Sequence, residues 1–320
     1  MITKKITPKM AMAGVTKLVR QKTLGGTFFL NLEVTKHCNA RCDFCDYWKT
    51  KKEARITDYL PIVKKFDPMY INITGGEPLL RKDLPGIVRR IKENTGFIYI
   101  QLITHGQLLT EEKGVELWEA GVDQITFSLD FPSERHDLSR GIPGLFNHIV
   151  AVIPKLQARG IDNIGFNTFI MRDNLDDIIP IAHLAKRLGV CVSYSSYFEG
   201  KANNRTHTIV GDDLKKLEGV VEELVRLKRT LRNIRNSDFY LRRIPPYFKG
   251  GVPGCQAGLK WLQVTPDGYL KRCSEFPVEA HWTEYTPDTF EPTDCTACWF
   301  SCRGEAEAPL TLGRIIELNR

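Results

Sequence analysis

The sequence lacks any unbroken run of about eighteen apolar residues, so no segment is long enough to cross a bilayer as a helix. Its N-terminal stretch has no compact apolar core ahead of a small-residue cleavage site, and it does not read as a secretory leader. Repeats of fixed period and low-complexity tracts are missing, which sets aside repeat architectures. A disulfide scaffold is set aside as well, because nine cysteines without an export signal point to a reducing, cytoplasmic setting. The formal charge of +7 is modest for 320 residues. It suits an anionic substrate or a membrane surface and establishes neither. The length exceeds one average domain but fits one α/β barrel with a small appendage.

Cysteine is present and unevenly placed. Cys38, Cys42 and Cys45 form a C-x3-C-x2-C run, five more lie between residues 255 and 302, and Cys191 stands alone. Cys191 reads as a small buried hydrophobe. Three neighbouring thiols cannot pair among themselves without leaving one over, but they can converge on a soft metal centre. A zinc knuckle would want a fourth Cys or His. His37 is at hand, yet its adjacency to Cys38 is poor geometry for a shared tetrahedral ion. A four-iron cube held by three thiolates keeps one iron open, and an open metal corner implies chemistry.

Residues 1–26 form a basic extension with an amphipathic helix expected over 9–22. That helix either packs on the outside of the fold or makes peripheral contact with an anionic membrane. From residue 27 the pattern alternates. Strands are expected at Phe28–Val34, Met69–Ile73, Phe97–Ile103, Gln124–Leu129, Ile164–Ile170 and Val190–Phe198. Helices are expected at 55–66, 83–94, 110–120, 144–159 and 174–188. Six such units predict an α/β fold, a partial (β/α)6 TIM-like barrel over 27–210, with chemistry at the C-terminal ends of the strands. The cysteine loop, Gly75-Gly76-Glu77-Pro78, Thr104-His105-Gly106 and Asp130 all fall at such ends. A charged helix at 212–232 opens a connector over 211–250, and Pro245-Pro246 with Gly250-Gly251 marks a boundary. Interleaved Glu218, Glu222 and Glu223 read this basic helix as a solvated face rather than a nucleic-acid site.

The cysteine run, with Phe44 before its last member, resembles the radical S-adenosylmethionine (radical SAM) superfamily. The resemblance implies a 4Fe–4S cluster whose open iron is chelated by S-adenosylmethionine (SAM). It also implies reductive cleavage of SAM to a 5′-deoxyadenosyl radical that abstracts hydrogen from a substrate. Gly75, Gly76 and Glu77 look like the motif that holds the methionyl amino group. Ser128 and Asp130 resemble the family's Ser-Leu-Asp element, and Arg135-His136-Asp137 with Arg140-Gly141 is also family-like. Asn167, Thr168 and Arg172 match positions that reach the ribose or methionyl part of SAM. The family's Thr-Asn-Gly appears as Thr104-His105-Gly106, which leaves an imidazole near the expected site. His105 and Asp130 are the candidate catalytic residues.

The second group, Cys255, Cys273, Cys295, Cys298 and Cys302, occupies residues 251–320. With the turn Thr265-Pro266-Asp267-Gly268 it resembles the SPASM/Twitch extensions that hold auxiliary iron–sulfur clusters. The implied site is one auxiliary 4Fe–4S cluster on four of the five thiols, first Cys255, Cys273, Cys295 and Cys298, with Cys302 as the fifth. Zinc is the alternative occupant.

The expected function is radical SAM oxidation or related C–H functionalisation of a small-molecule substrate, with an external electron donor such as flavodoxin or ferredoxin. The auxiliary cluster would take up the second electron. A peptide- or protein-modifying maturase is the second reading, but the flanks leave no room for a further recognition domain of about 80–90 residues. The GTP-cyclising enzyme of molybdenum-cofactor synthesis is similar in length and SAM motifs, and differs in C-terminal cysteine spacing. A non-catalytic metal-binding module holding nucleic acid through residues 215–243 is the third, and it should show steep salt dependence.

Overall fold

The computed structural model describes residues 8–309 and residue 311. Helix α1 (Pro8–Thr23) comes first, then strand β1 (Phe29–Thr35), α2 (Leu60–Phe66) and β2 (Tyr70–Gly75). Next come α3 (Leu84–Asn94), β3 (Tyr99–Thr104), α4 (Glu111–Ala120), β4 (Gln124–Ser128), α5 (Arg135–Arg140) and α6 (Leu145–Ala158). The barrel unit ends with β5 (Ile164–Ile170), α7 (Ile178–Arg187) and β6 (Cys191–Ser196). After it lie α8 (Asp213–Leu231), α9 (Asp238–Leu241), α10 (Ile244–Gly250), β7 (Trp261–Val264), β8 (Tyr269–Lys271), β9 (Ala280–His281) and α11 (Ser301–Glu307).

The six expected strands are all present and pair in parallel, in the order β6-β5-β4-β3-β2-β1. Parallel pairing needs a crossover, and the apolar stripes of the helices supply its packing. In α3 the buried residues are Leu84, Ile87, Val88 and Ile91, one face at helical spacing. Each such side chain stabilises the fold by about 1.5–3 kcal/mol when fully buried. Opposite them the sheet presents Leu32, Ile71, Ile73, Ile100 and Leu102, none of them exposed.

The other sheet face is polar, unlike the packed interior of a closed barrel. At the strand starts Phe29, Tyr70 and Tyr99 form an aromatic floor, with ring centroids 5.2 Å apart in each neighbouring pair. Above it Asn72 donates to Asn31 at 2.8 Å and Gln101 donates to Thr126 at 2.7 Å. Glu33 lies opposite Thr74, and Ser128 opposite Asn167, toward the C-terminal mouth.

The region after residue 250 continues this sheet. Strand β7 pairs in parallel with β1, and the hairpin expected at Thr265–Gly268 extends it through β8 to β9. Helix α11 packs on both β6 and β7, with the Ser301 N–H donating to Ser195 Oγ at 3.3 Å, and so spans the barrel's open side.

Some boundaries differ from expectation for local reasons. Helix α2 starts at Leu60 rather than 55, because the Ile56 N–H donates to Pro266 O and its carbonyl accepts from the Arg81 guanidinium, and Pro61 suits a first turn. Pro245 and Pro246 do not mark a break; they sit in the first turn of α10, where missing N–H groups cost nothing. Helix α1 lies along the floor end of the barrel: Lys17 and Arg20 pair with Asp67, and Gln21 donates to the carbonyls of Thr27 and Asp67. Its other face leaves Met12, Val15 and Val19 exposed.

Candidate active site

The cysteine loop leaves β1 at Thr35 and is held from three sides. First, the double glycine of β2 lies against it. Gly76 N–H donates to Thr35 O at 2.7 Å and Glu77 N–H to His37 O at 2.8 Å. A Cβ on Gly76 would stand 2.1 Å from His37 O, so only glycine permits this approach. The close approach of Gly76 that the sequence led us to expect is made here to the chain's own loop, beside the site expected for a ligand.

Second, the turn after β3 grips Asn39. Glu77 is fully buried and accepts from Leu79 N–H, Thr104 Oγ1 and His105 N–H at 3.0, 2.7 and 3.0 Å. His105 Nδ1 accepts from Gln107 N–H at 3.1 Å, which leaves Nε2–H to donate to Asn39 Oδ1 at 2.9 Å. Burial holds the His105 pKa below its usual value, against the pull of Glu77, so the ring is neutral.

Third, α5 closes over the loop. Arg41 N–H donates to Arg140 O at 2.8 Å, and Arg140 Nη1 lies 3.7 Å from Cys42 Sγ. Arg140 Nη2 donates to Asp130, whose other oxygen accepts from Phe169 N–H at 2.9 Å. Burial opposes the guanidinium charge, but Asp130 and Cys42 together raise its pKa above the ordinary value. Phe44 is buried between this guanidinium, 5.2 Å from its ring, and the ring of Phe169.

Cys38, Cys42 and Cys45 are free thiols that act on one another's charge. Burial pushes the Cys38 pKa up to about 12 and raises those of Cys42 and Cys45. Soft metal ligation is the chemistry that relieves three such thiols, by replacing their protons. Among the described residues no three His, Cys, Asp or Glu side chains converge on a single ion. Three neighbouring thiols suit a four-iron cube, whose thiolate ligands stand farther apart than those of one zinc.

The second group gathers too. Cys255, Cys273, Cys295, Cys298 and Cys302 all line one small cavity of about 30 Å3, with Asn31, Trp261, Glu275, Phe276 and Phe300 among its walls. Asn31 belongs to the polar face of β1, so this cavity adjoins the barrel interior. Arg303 is buried beneath it and donates to the carbonyls of Cys298, Val252 and Pro253.

Comparison with known proteins identifies the domain that holds the cysteine loop. The Radical SAM superfamily model matches residues 32–185. The chain carries a radical SAM domain over these residues. A probable GTP 3′,8-cyclase of Saccharolobus islandicus is 27% identical over 265 residues, covering 76% of this chain and 82% of the relative. An AdoMet-dependent heme synthase of Oleidesulfovibrio alaskensis is 34% identical over 169 residues, 49% of this chain and 42% of that one. Among solved structures, Streptococcus suis SuiB bound to its precursor peptide SuiA superposes with TM-score 0.65, at 16% identity, over 88% of this chain and 68% of that chain. The anSMEcpe structure with AdoMet and a peptide gives 0.63 at 17% identity, over 82% and 79%. Both likenesses are of fold.

Of the residues the sequence singled out, Phe44, Gly75, Gly76, Glu77, Thr104, His105, Ser128, Asp130 and Asn167 gather at the mouth of the enzyme's barrel. Arg172 does not join them: it is largely exposed and pairs with Asp213 at the start of α8. Cys191 is remote from both thiol groups, donating to Ile164 O on β5. Sequence reasoning missed two charged residues in or near the interior, Glu33 and Lys201, and the reach of a third, Arg140. Glu33 sits in an apolar strand run, and its signal was the alternation Asn31, Glu33, Thr35. Arg140 was noted for its neighbourhood and not for its reach to Cys42. Lys201, near enough to act on Cys45, Glu33 and Glu275, comes from a loop with no pattern to flag it.

Proposed function

We propose that the enzyme binds a 4Fe–4S cluster through Cys38, Cys42 and Cys45, and SAM above it, and oxidises or functionalises a C–H bond of a small polar molecule. When bound, this pair supplies the 5′-deoxyadenosyl radical that takes a hydrogen atom from the substrate. The observation that carries the reading is the arrangement of two thiol groups around one polar well, three at its mouth and five along its side.

The chain's own residues have separable tasks. Ser128 and Asn167, paired across β4 and β5, offer hydroxyl and amide groups to SAM, and Phe44 walls its site. Both carboxylate oxygens of Glu77 and of Asp130 are already engaged, so we read Glu77, Thr104, His105 and Asp130 as positioning residues for the cysteine loop. Arg172 is left out because Asp213 holds it. The cavity of five thiols supports an auxiliary 4Fe–4S cluster, with Cys255, Cys273, Cys295 and Cys298 as the first set and Cys302 as the fifth thiol. Such a centre would accept the electron that remains after hydrogen abstraction. Trp261 and Phe300 would keep water from it. An external flavodoxin- or ferredoxin-type donor and a cytoplasmic setting complete the proposal.

The small-molecule reading draws on the named GTP 3′,8-cyclase relatives, which this chain matches over most of its length. A peptide substrate draws only on neighbours that share the fold. The test is anaerobic reconstitution. About eight irons per chain should bind, and SAM with a strong reductant should yield 5′-deoxyadenosine. Cys42→Ala should abolish that product, Cys273→Ala should lose half the iron, and Cys191→Ala should lose none. A fully active Cys42→Ala enzyme would overturn the assignment.

We further propose that the free face of α1 rests on an anionic membrane. Every charged residue before Glu33 is a lysine or arginine. The helix is pinned to the barrel by one face while Met12, Val15 and Val19 line the other, a pairing of basic charge and free apolar surface suited to a lipid interface.

A further inference from the structure

The inner face of β1 carries a buried carboxyl group with one oxygen left over. Glu33 is 2% exposed, yet its Oε1 has no hydrogen-bond partner. A buried carboxylate oxygen left unpaired is destabilising, and such an orphan calls for an explanation. It is not alone. Asn72 on β2, 6% exposed, spends its amide nitrogen on Asn31 and leaves Oδ1 without a partner.

These two orphans are neighbours by register. Glu33 faces Thr74 and Asn31 faces Asn72, so Glu33 and Asn72 are diagonal on the same sheet face, within reach of one another's ligands. Gln263 of β7, opposite Asn31, is the hydrogen-bonding side chain on the other flank of Glu33. The position lies between the two thiol groups: Glu33 is near enough to act on the charge of Cys45, and Asn31 beside it lines the five-thiol cavity. Lys201, Lys271 and Lys36 surround the carboxylate without a direct ion pair.

We propose that Glu33 Oε1 and Asn72 Oδ1 form a substrate subsite that receives two neighbouring hydrogen-bond donors of one polar molecule. This rests on the radical SAM reading above and adds what the substrate must carry there. Two side-by-side acceptors in a dry well select paired donors, either the adjacent N–H groups of an aminopurine or guanidine-type edge, or the two hydroxyls of a sugar diol. They reject a carboxylate or phosphate at that spot, because a like charge would be left unpaired. Burial raises the Glu33 pKa, as expected of a carboxylate whose partner arrives with the ligand.

Saturation-transfer NMR on the reconstituted holoenzyme tests this with three probes. Guanosine carries the N–H pair and a diol, inosine the diol with a single ring N–H, and methyl riboside the diol alone. Guanosine signal several-fold above inosine assigns the N–H pair, and equal signal from all three assigns the diol. In either case Glu33→Gln, which places a donor beside the ligand's donor, should reduce the signal at least five-fold. Asn72→Ser should reduce it as well and serves if Glu33→Gln folds poorly. No signal from any probe, or unchanged signal in both variants, would overturn the subsite. The radical SAM reading stands or falls separately, on 5′-deoxyadenosine formed by the unaltered enzyme.

Discussion

Arg140 and Cys42 are joined across 98 positions of sequence by an N–H···S contact of 3.7 Å, buried at the mouth of the barrel. The same guanidinium pairs with Asp130, so one charge serves a carboxylate and a cluster-type thiol together. Removing it leaves Asp130 buried and unpaired, which typically costs about 3–5 kcal/mol. Arg140→Met should therefore lower the urea midpoint strongly. In reconstituted enzyme it should also shift the midpoint potential of the cysteine-loop centre to more negative values, since hydrogen bonds to ligating sulfur and nearby positive charge favour the reduced state. A potential equal to that of the unaltered enzyme would show that Arg140 only props the loop.

Gly76 is a second lever on the same loop. Its missing Cβ is the space in which His37 O sits, at 2.1 Å from where that atom would be, with Lys36 O at 2.6 Å. Both obstacles are backbone, so neither can rotate away. Gly76→Ala should push β2 from the cysteine loop at a cost of about 1–3 kcal/mol, the usual range for overpacking. Iron retention against a chelator should fall with it. Gly86→Ala, on the open side of α3 with nothing near its would-be Cβ, is the matched control and should stabilise slightly.

The sequence made the parallel sheet legible because each strand was an apolar run followed by a helical stripe, and β5 matches its expected span of Ile164–Ile170 to the residue. The mouth was legible because residues at strand ends are fixed by topology once the strands are known. Partners that depend on side-chain reach were not. Nothing in the spacing tells that Arg172 turns out to Asp213 while Arg140 turns in to Cys42. Strand β7 beside β1 was missed because its four residues carry too short a pattern to show which neighbour they choose. Glu33 was hidden inside a run that reads as an ordinary buried strand.

His207 ties the loop after β6 to the cysteine loop. Its Nδ1 lies 2.9 Å from Asp173 and its Nε2 2.9 Å from Asp43, between Cys42 and Cys45. The hydrogen bond to Asp173 first, and that to Asp43 with it, push the His207 pKa up to about 9 against partial burial. The folded state thus holds this proton more tightly than the unfolded chain, whose histidine titrates near 6.5. The stabilisation is complete below about pH 6.5, declines as pH rises, and is gone above about 9. Melting temperatures of the unaltered protein and His207→Gln should differ most near pH 6 and converge toward pH 9–10. A gap that stays constant across this range would mean that the ring, not its charge, holds the two loops together.

The α1 proposal yields the opposite kind of experiment, one in which substitutions should leave the fold alone. Met12, Val15 and Val19 are 68%, 60% and 47% exposed, so replacing all three with serine removes no core packing and should move the melting temperature little. Full burial of such side chains in a lipid interface is worth about 1.5–3 kcal/mol each, and each nearby lysine or arginine adds about 1 kcal/mol against anionic lipid. The two contributions predict flotation with phosphatidylcholine vesicles containing about 30% phosphatidylglycerol and little with phosphatidylcholine alone. They also predict release as salt screens the surface. The triple serine variant should remain in the soluble fraction at every salt concentration. Because the pinned face reaches Asp67, Thr27 and Phe97, all before strand starts, the membrane would lie under the barrel floor and the mouth would face the bulk solution. Equal flotation of the triple variant, or none by the unaltered protein, would remove α1 from the membrane.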